Sequence, residues 1–524
     1  MTTLRPARLP ILLLGALSAA ACNSVTGVDD LVLEADAPTS GGHGGGATTG
    51  GAGGSTGTTT SSGTTSSGMP APPQETMVPA DGVTITKISL YQGVERKLME
   101  KGAAASSKTP IIAGRDALVR VFFSLDAKYD KGAVTARLTI DKGAPIEVKK
   151  TLSGTSKDGT LGSTINFEIP KERMAGGDAY RVELLQSSTT SSGDNKAAVF
   201  PASGTAALDV QSVGPALKIK LVPVAYNADG SGRKPDTSAT QKKAYVDAFY
   251  AFYPITGLDL SVHSTLAWNQ SVDANGNGWG ELLDAIAQLR AKDGAPADTY
   301  YYGIFSPAGS ANQYCSQGCV AGLGMVATSQ DSYSHAAIGL GFSGDIATET
   351  AVHEIGHTHG RNHAPCGGAQ GVDSQYPYSG ASIGTWGYNL LDKQLYSPSG
   401  TTDLMGYCSP IWISDYNFTA LFKRIKLVNN AEIVYAPELL DQTYERVRID
   451  ARGNATWLDP IELHTPPSSE EVTLTVHTAQ GSFLRKGQLY RYDHLDGGIL
   501  MWPRDDQALA ADLDLDSRAI HMTR

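Results

Sequence analysis

Residues 353–363 read HEIGHTHGRNH and hold four of the chain's 11 histidines. Residues four apart lie on one face of a helix, so His353 and His357 are predicted to direct two imidazoles at one point. Glu354 follows the first histidine directly and should lie beside that point rather than on it. Two histidines at this spacing with an adjacent carboxylate are typical of a zinc-binding helix, where the carboxylate takes a proton from water on the metal.

The position of a third ligand follows from the glycine in this stretch. A helix cannot bring a residue six positions beyond His357 back to the same metal unless the helix ends. Gly360 is predicted to end it, because glycine adopts positive φ and turns the chain, so that His363 becomes the third ligand. Three protein ligands leave a fourth position for water, as in catalytic zinc sites. A structural site would need a fourth side-chain ligand, and Cys366 is near enough to be considered.

The complete pattern H-E-x-x-H-x-x-G-x-x-H resembles the signature of the metzincins, a clan of zinc endopeptidases. The clan also has a tight turn that carries a methionine beneath the metal, and the stretch DLMGY at residues 403–407 is similar to that turn. The resemblance implies that Met405 belongs to this Met-turn and that Tyr407 reaches the metal or the transition-state oxyanion. It also implies an α+β metzincin catalytic domain over residues 213–430.

The activity implied by the resemblance is hydrolysis of peptide bonds in extracellular proteins or glycoproteins. One catalytic zinc ion is expected on His353, His357 and His363, with Glu354 as general base. The preceding β-rich region and Arg361-Asn362 resemble bacterial mucin-cleaving metzincins. The Met-x-Tyr sequence with a nearby cysteine pair instead resembles pappalysin-like enzymes.

Two other classes of function stay open at this point. One is a surface adhesin that uses a protease scaffold for binding, and the other is a zinc hydrolase that does not cleave peptides. The intact Glu354 argues against the adhesin, because loss of that carboxylate is the usual mark of an inactive scaffold.

The composition is that of a globular chain with few charges. The 524 residues are 41% hydrophobic and 18% charged, with a net charge of −11 and a pI near 5.5. This length is enough for about two to four domains. The sequence has no basic cluster, so a nucleic-acid partner is not expected. The oligomeric state is not indicated.

The first 22 residues are predicted to be a signal peptide. Arg5 and Arg8 precede a short apolar run over residues 9–17, which is too short to span a bilayer. Small residues before Cys22 resemble a lipoprotein box, which predicts lipidation of Cys22 and contact with a membrane only through that lipid. An ordinary signal peptidase could instead cut after Ala21. The expected location is the outer membrane or cell surface, or the secreted fraction.

The chain has five cysteines, an odd number for an exported protein. Lipidation of Cys22 would leave four, which allow three connectivities. The metzincin resemblance places the third ligand close to the Met-turn, and this implies a Cys366–Cys408 bond. Cys315 and Cys319 would then form a small local loop, and Cys366 would no longer be available to zinc.

The rest of the chain is predicted to form a tether and two β regions around the catalytic domain. Residues 23–76 are rich in Gly, Ser, Thr and Pro and should be a flexible tether. Repeated short strands predict a β-sandwich over residues 77–212, either a spacer or binding module or a pro-segment. A small C-terminal β domain of unassigned role is predicted over residues 431–524. Helices are predicted at 239–253, 281–292 and 415–428, with the zinc helix starting near Asp345.

A second metal signal is weaker. Residues 273–278 read DANGNG, and Asp284 stands at the twelfth position, which roughly fits a calcium loop. Asp284 replaces the usual glutamate, and charged ligands are few. The favoured interpretation is an Asn/Gly turn that leads into a helix, so Ca²⁺ is a less favoured second metal.

Overall fold

A computed structural model describes residues 76–188, 193–327, 332–430 and 436–524. The predicted signal peptide, its Cys22 and all of the predicted tether except Thr76 lie outside these ranges. Strands hold 40% of the residues and helices 18%. Within the described part, no helix is long and apolar enough to cross a bilayer.

The described residues before position 213 form short and medium strands. They are β1 Thr76–Pro79, β2 Val83–Tyr91, β3 Gly93–Glu100, β4 Ala103–Ala104, β5 Ile111–Ile112, β6 Ala117–Leu125, β7 Ala133–Ile140, β8 Ile146–Thr151, β9 Ile165–Ile169, β10 Ala179–Ser188, β11 Val199–Phe200, β12 Ala206–Ala207 and β13 Val210–Gln211.

Two antiparallel sheets of this region enclose one apolar core. The first has the order β1-β10-β7-β8, and the second contains β3-β2-β6-β9. Inward side chains of both sheets, such as Ile88 and Val121 from one and Leu138 and Val182 from the other, are buried in the same cluster. Alternation along β7 shows why, since every second residue from Val134 to Ile140 is buried.

The middle of the chain carries the α-helices of the described part. Its strands are β14 Leu217–Tyr226, β15 Leu258–Val262, β16 Leu266–Trp268, β17 Thr299–Phe305, β18 Gly322–Gly324, β19 Ala336–Leu340, β20 Gly387–Asn389, β21 Gln394–Tyr396, β22 Thr402–Asp403 and β23 Ile411–Trp412. Its helices are α1 Ala239–Phe252, α2 Trp279–Lys292, α3 Ala311–Tyr314, α4 Asp345–Thr358 and α5 Asp415–Asn430.

The central sheet has the order β15-β14-β17-β19-β18. Its strands pair in parallel except for β18, which runs antiparallel to β19 at the edge. Helices α1, α2 and α5 lie within two residues of their predicted bounds at each end, because each has an apolar face at helical spacing. Helix α4 starts at Asp345 as predicted, although its N-cap residue is Gly344.

The last region is one seven-stranded antiparallel sheet with the order β25-β24-β28-β27-β26-β29-β30. Its strands are β24 Gln442–Ile449, β25 Ala455–Leu463, β26 Glu470–Thr478, β27 Gly481–Arg491, β28 Gly498–Pro503, β29 Ala510–Leu515 and β30 Arg518–Thr523. Tyr444 and Tyr490 of this sheet share an apolar cluster with Trp279 of α2. Arg446 pairs with Asp284 at 2.6 Å across the same contact, and both side chains are buried.

The predicted fold class is wrong. The chain is mostly β with curled sheets and five helices in its described part, and this is not an α+β metzincin domain between two separate β flanks. Sheets and cores run across the predicted boundaries. Strand β20 pairs with β3 of the N-terminal region, and the C-terminal sheet shares a core with α2. These long-range pairings have no local signature, so the pattern along the chain does not predict them.

Candidate metal centre

Helix α4 separates the protein core from a cluster of histidines. Its residues Ala351, Val352 and Ile355 are buried in the main apolar core. The neighbouring face carries His353 and His357, whose Nε2 atoms lie 3.1 Å apart. The four-residue spacing therefore brings the two imidazoles together, as the sequence predicts.

Gly360 ends this helical segment and returns the chain to the cluster. Its φ is +77°, and a Cβ atom at this position would lie 2.5 Å from the carbonyl oxygen of Ala327. Both the left-handed backbone and the close approach therefore require glycine. The turn brings the ring of His363 to 4.6 Å from that of His357, measured between centroids.

All three rings are oriented in the same way by backbone carbonyls. Nδ1 of His353 lies 2.7 Å from the oxygen of Leu404, and Nδ1 of His357 lies 2.6 Å from that of Arg361. Nδ1 of His363 contacts the oxygen of Gln370 in the same manner. A proton on each Nδ1 donates to these carbonyls, so that each Nε2 keeps its lone pair for a metal.

Burial keeps these rings neutral. Loss of hydration lowers the pKa of His357 to about 4 and that of His363 to about 2, and it lowers the pKa of His353 well below its usual range. Neutral imidazole is the form that binds metal, so no proton has to leave at neutral pH.

The turn at residues 403–407 lies directly against α4. Sδ of Met405 packs on the helix at Gly356, where an added Cβ would come within 2.6 Å of the sulfur. The buried carboxylate of Asp403 holds the turn by accepting hydrogen bonds from the N–H groups of Met405 and Ser414, each at 2.8 Å. The turn therefore packs against the helix that carries His353 and His357, and it provides the Leu404 carbonyl that orients His353.

Tyr407 and Glu354 both lie beside the histidines. The hydroxyl of Tyr407 is 3.0 Å from Nε2 of His363. The carboxylate of Glu354 is buried against β18, where Cβ atoms added at Gly322 and Gly324 would lie 2.2 and 3.3 Å from its oxygens. Burial and the nearby Asp493 raise the pKa of Glu354 well above its ordinary value, with His494 acting in the opposite direction.

Two further residues of the cluster were missed by the sequence analysis. Asp493 and His494 come from the loop between β27 and β28 and offer ligand atoms within 4.8 Å of those of His353, His357 and His363. Oδ2 of Asp493 is 3.0 Å from Nε2 of His357. Nothing local marks these residues, because an Asp-His pair before two glycines is an ordinary hairpin loop.

His494 pairs with two carboxylates. Its Nε2 lies 2.9 Å from Oδ2 of Asp493 and 3.0 Å from Oε1 of Glu354. Burial lowers the pKa of His494, but the two carboxylates outweigh burial and raise it to about 10.

The residues fit a divalent cation. The Nε2 atoms of His353 and His357, both without a proton, repel each other at 3.1 Å unless a cation binds them. The buried Oδ2 of Asp493 lies 3.0 Å from Nε2 of His357, so a carboxylate oxygen also faces a nitrogen lone pair. Buried lone pairs that face one another without a donor are costly, and a metal ion between the histidines and Asp493 would satisfy them. Imidazole and carboxylate ligands suit zinc and several other divalent metals, so the donors alone leave the metal unspecified.

Both predicted disulfides are confirmed. Cys366–Cys408 joins the loop after His363 to the turn after Met405, and Cys315–Cys319 closes a short loop before β18. Because Cys366 is bonded to another cysteine, it is not a fourth metal ligand.

The two carboxylates of the weaker calcium signal have other partners. Asp273 accepts hydrogen bonds from the N–H groups of Asn275 and Asn277, which forms a turn before α2. Asp284 is paired with Arg446 and also accepts from the hydroxyl of Tyr333. Among the residues described, the histidine cluster is the one group of ligand side chains that could hold a metal.

The sequence was compared with known proteins. No protein-family model matches the chain, and a search of curated proteins gives no match. The function therefore has to be argued from the residues of the site.

Proposed function

We propose that the protein is a zinc-dependent endopeptidase with a metal-binding segment of the metzincin type. The observation that carries the proposal is the position of Glu354. Its carboxylate is buried beside three metal-ready imidazoles but is not one of the ligand atoms, and its Oε2 has no hydrogen-bond partner. A carboxylate in this place is suited to move a proton rather than to hold the metal.

His353, His357 and His363 would hold the ion, which lowers the pKa of a bound water and polarises a carbonyl group when it is present. Glu354 would accept the water proton at its free Oε2 and pass it to the leaving amine. Burial and the nearby Asp493 raise the pKa of this carboxyl, which makes it a stronger base than an exposed glutamate. The hydroxyl of Tyr407 would donate a hydrogen bond to the oxygen on which negative charge develops.

The edge strand β18 favours an extended peptide as substrate. It pairs with β19 along one side, and it lies at the end of the central sheet next to the carboxylate of Glu354. An extended chain can add to a sheet edge through backbone hydrogen bonds, which bind peptides without demanding a particular sequence. Unfolded or extended segments of extracellular proteins or glycoproteins are the proposed substrate class.

We also propose that the protein is exported and carries a lipid on Cys22. Two disulfides support an oxidising compartment, because such bonds are rare in reducing cytosol. Mass spectrometry of the N-terminal peptide from native membranes tests the anchor, and an unmodified Cys22 would remove it.

The peptidase is tested by cleavage and metal content together. Full-length protein loaded with Zn²⁺ is incubated with casein, fibrinogen and mucin, and products are sequenced by mass spectrometry. We expect one zinc per chain and internal cleavages that stop with a chelator and return with Zn²⁺. The matched control is Glu354→Gln, which retains the three histidines. A zinc content near zero, or equal cleavage by the control, contradicts the proposal. If both proteins bind a surface ligand and neither cleaves, the adhesin is the better interpretation.

A further inference from the structure

We infer that the loop at residues 492–497 is an internal inhibitor, in which Asp493 is the fourth metal ligand and the loop occupies the path of a peptide. This inference rests on the proposed function and concerns regulation of the same site. Hydrolysis needs an open position on the metal, whereas four protein ligands are the mark of a closed site.

The carboxylate of Asp493 is oriented like a ligand. Its Oδ1 accepts a hydrogen bond from the N–H of Gly324 at 2.8 Å, which fixes the group. Its Oδ2 points into the cluster, 3.0 Å from Nε2 of His357 and 2.9 Å from Nε2 of His494. The side chain is completely buried. One oxygen is thus held by the backbone, and the other lies among the ring nitrogens that would hold a cation.

His494 engages the two groups proposed for catalysis. Nε2 of His494 is 3.0 Å from Oε1 of Glu354, and its Nδ1 contacts the hydroxyl of Tyr407. The rings of His494 and Tyr407 are stacked with centroids 5.4 Å apart. In this arrangement the proposed base and the proposed oxyanion donor are both paired with the loop rather than with a substrate.

The loop lies along the same edge that a peptide would use. Tyr492 and Met325 form an antiparallel bridge, and the N–H of Asp493 donates to the carbonyl of Gly324 at 3.3 Å. This bridge and this backbone hydrogen bond are of the kind that a strand added at the end of β18 would make. A substrate therefore has to displace the loop before it can reach the metal.

The two strands that flank the loop hold it in place. Strands β27 and β28, which it connects, pair with each other and belong to the C-terminal sheet that packs on α2. Arg448 adds a second ion pair to this contact, 2.9 Å from Glu281. The inhibitor is therefore a docked part of the fold, and its release requires local movement of residues 492–497 rather than loss of the sheet.

The test uses two measurements on the full chain whose results should move in opposite directions. In Asp493→Ala, competition with a chelator should show zinc affinity lowered by about tenfold or more, because a ligand is lost. Cleavage of casein by the same zinc-saturated variant should rise by about tenfold or more, because a position on the metal opens. The matched control is Asp496→Ala in the same loop, where the side chain is exposed, and both values should stay at the wild-type level.

A fall in cleavage together with zinc affinity would overturn the inference, since it would make Asp493 a required part of the active site. Unchanged values for both measurements would also overturn it. Failure of the proposed function looks different: no variant cleaves any protein, while Asp493→Ala still loses zinc affinity, because that measurement does not depend on hydrolysis. In that case Asp493 remains a metal ligand and the inhibitory role falls.

Discussion

Nε2 of His494 lies 3.0 Å from Oε1 of Glu354, although 140 residues of chain separate the two. The helix that carries Glu354 packs on strand β19 of the central sheet. The loop that carries His494 instead connects two strands of the C-terminal sheet. Their contact means that the C-terminal sheet is part of the metal centre, so substitutions in either region should affect the same site.

Replacement of Glu354 by glutamine should separate metal binding from catalysis. The amide cannot accept the water proton. General acid–base groups typically contribute roughly 10²–10⁴-fold to the rate, so kcat should fall by at least about 10²-fold. Zinc content by elemental analysis should remain that of the parent protein, because Glu354 is not among the ligand atoms. His357→Ala is the contrasting variant and should lose zinc. Wild-type cleavage by Glu354→Gln would remove this residue from the mechanism.

Gly322→Ala should damage catalysis without removing the metal. The new Cβ would lie 2.2 Å from Oε1 of Glu354, so the carboxylate has to move. A displacement of about 1 Å at a reacting group can reduce a rate by about a hundredfold. Gly257→Ala is the control, because a Cβ there meets no atom within 4 Å. Steady-state kinetics and zinc content are measured for both, and equal rates would show that Glu354 does not need its present position.

Removal of the Cys366–Cys408 bond should destabilise the fold and loosen His363. The bond closes a separation of 42 residues, for which chain entropy predicts about 4 kcal/mol of the free energy of unfolding. The Cys315–Cys319 bond closes a separation of only 4 residues. Its removal should lower the free energy of unfolding by about 2 kcal/mol. Denaturant unfolding of the two double-serine variants gives both values. Equal zinc retention by the two variants would show that the longer loop does not support the metal site.

Glu349 should make stability fall as the pH rises. Burial is the larger cause of its raised pKa, and the negative charge of Asp345 one helical turn earlier adds to it. Together they raise the pKa of Glu349 from 4.5 to about 7. The unfolded chain therefore loses this proton at lower pH than the folded protein, and the destabilisation grows between pH 4.5 and 7 and is complete above pH 7. Glu349→Gln should be more stable than wild type by up to about 3 kcal/mol at pH 8, with little difference near pH 4. Urea unfolding at both pH values checks this, and a constant difference would contradict it.

Arg446→Met should leave Asp284 as a buried carboxylate without its ion-pair partner. The two groups are 2.6 Å apart, and their side chains are 1% and 6% exposed. Breaking a buried pair by removing one partner typically costs about 3–5 kcal/mol. The double variant with Asp284→Asn should recover part of this loss, since no uncompensated charge remains. Thermal unfolding of the three proteins provides the comparison, and a single variant as stable as wild type would show that the ion pair does not stabilise the interface.

The part of the site that the sequence could predict is local. His353 and His357 share a helix, and Gly360 turns the chain toward His363 within six residues, so spacing and backbone preference are sufficient to place them. The cysteine pairing also followed, because the family resemblance brought the Met-turn near the third ligand. Helices α1, α2 and α5 were found for the same reason, since their apolar faces repeat at helical spacing.

What the sequence could not reveal depends on strand pairing between distant segments. Asp493 reaches His357 only because its hairpin belongs to a sheet that docks on α2, and neither the pairing nor the docking leaves a periodic pattern. The predicted fold class failed for the same reason. A mostly β chain with shared sheets was interpreted as separate units, because alternation identifies a strand but not its partner.

Strands β20 and β21 have a consequence for how the chain could mature. They extend an N-terminal sheet, with Gly387 opposite Val94, and Trp412 donates its indole N–H to the carbonyl of Gly93 at 2.8 Å. A zymogen that matures by shedding its leading segment needs a seam along which the two pieces part. Here removal of the N-terminal region would leave the β20–β21 ribbon without its partner strand β3. It would also leave the buried indole N–H of Trp412 without its acceptor. The N-terminal region therefore packs as part of the same fold, and its removal should destabilise the residues around Trp412.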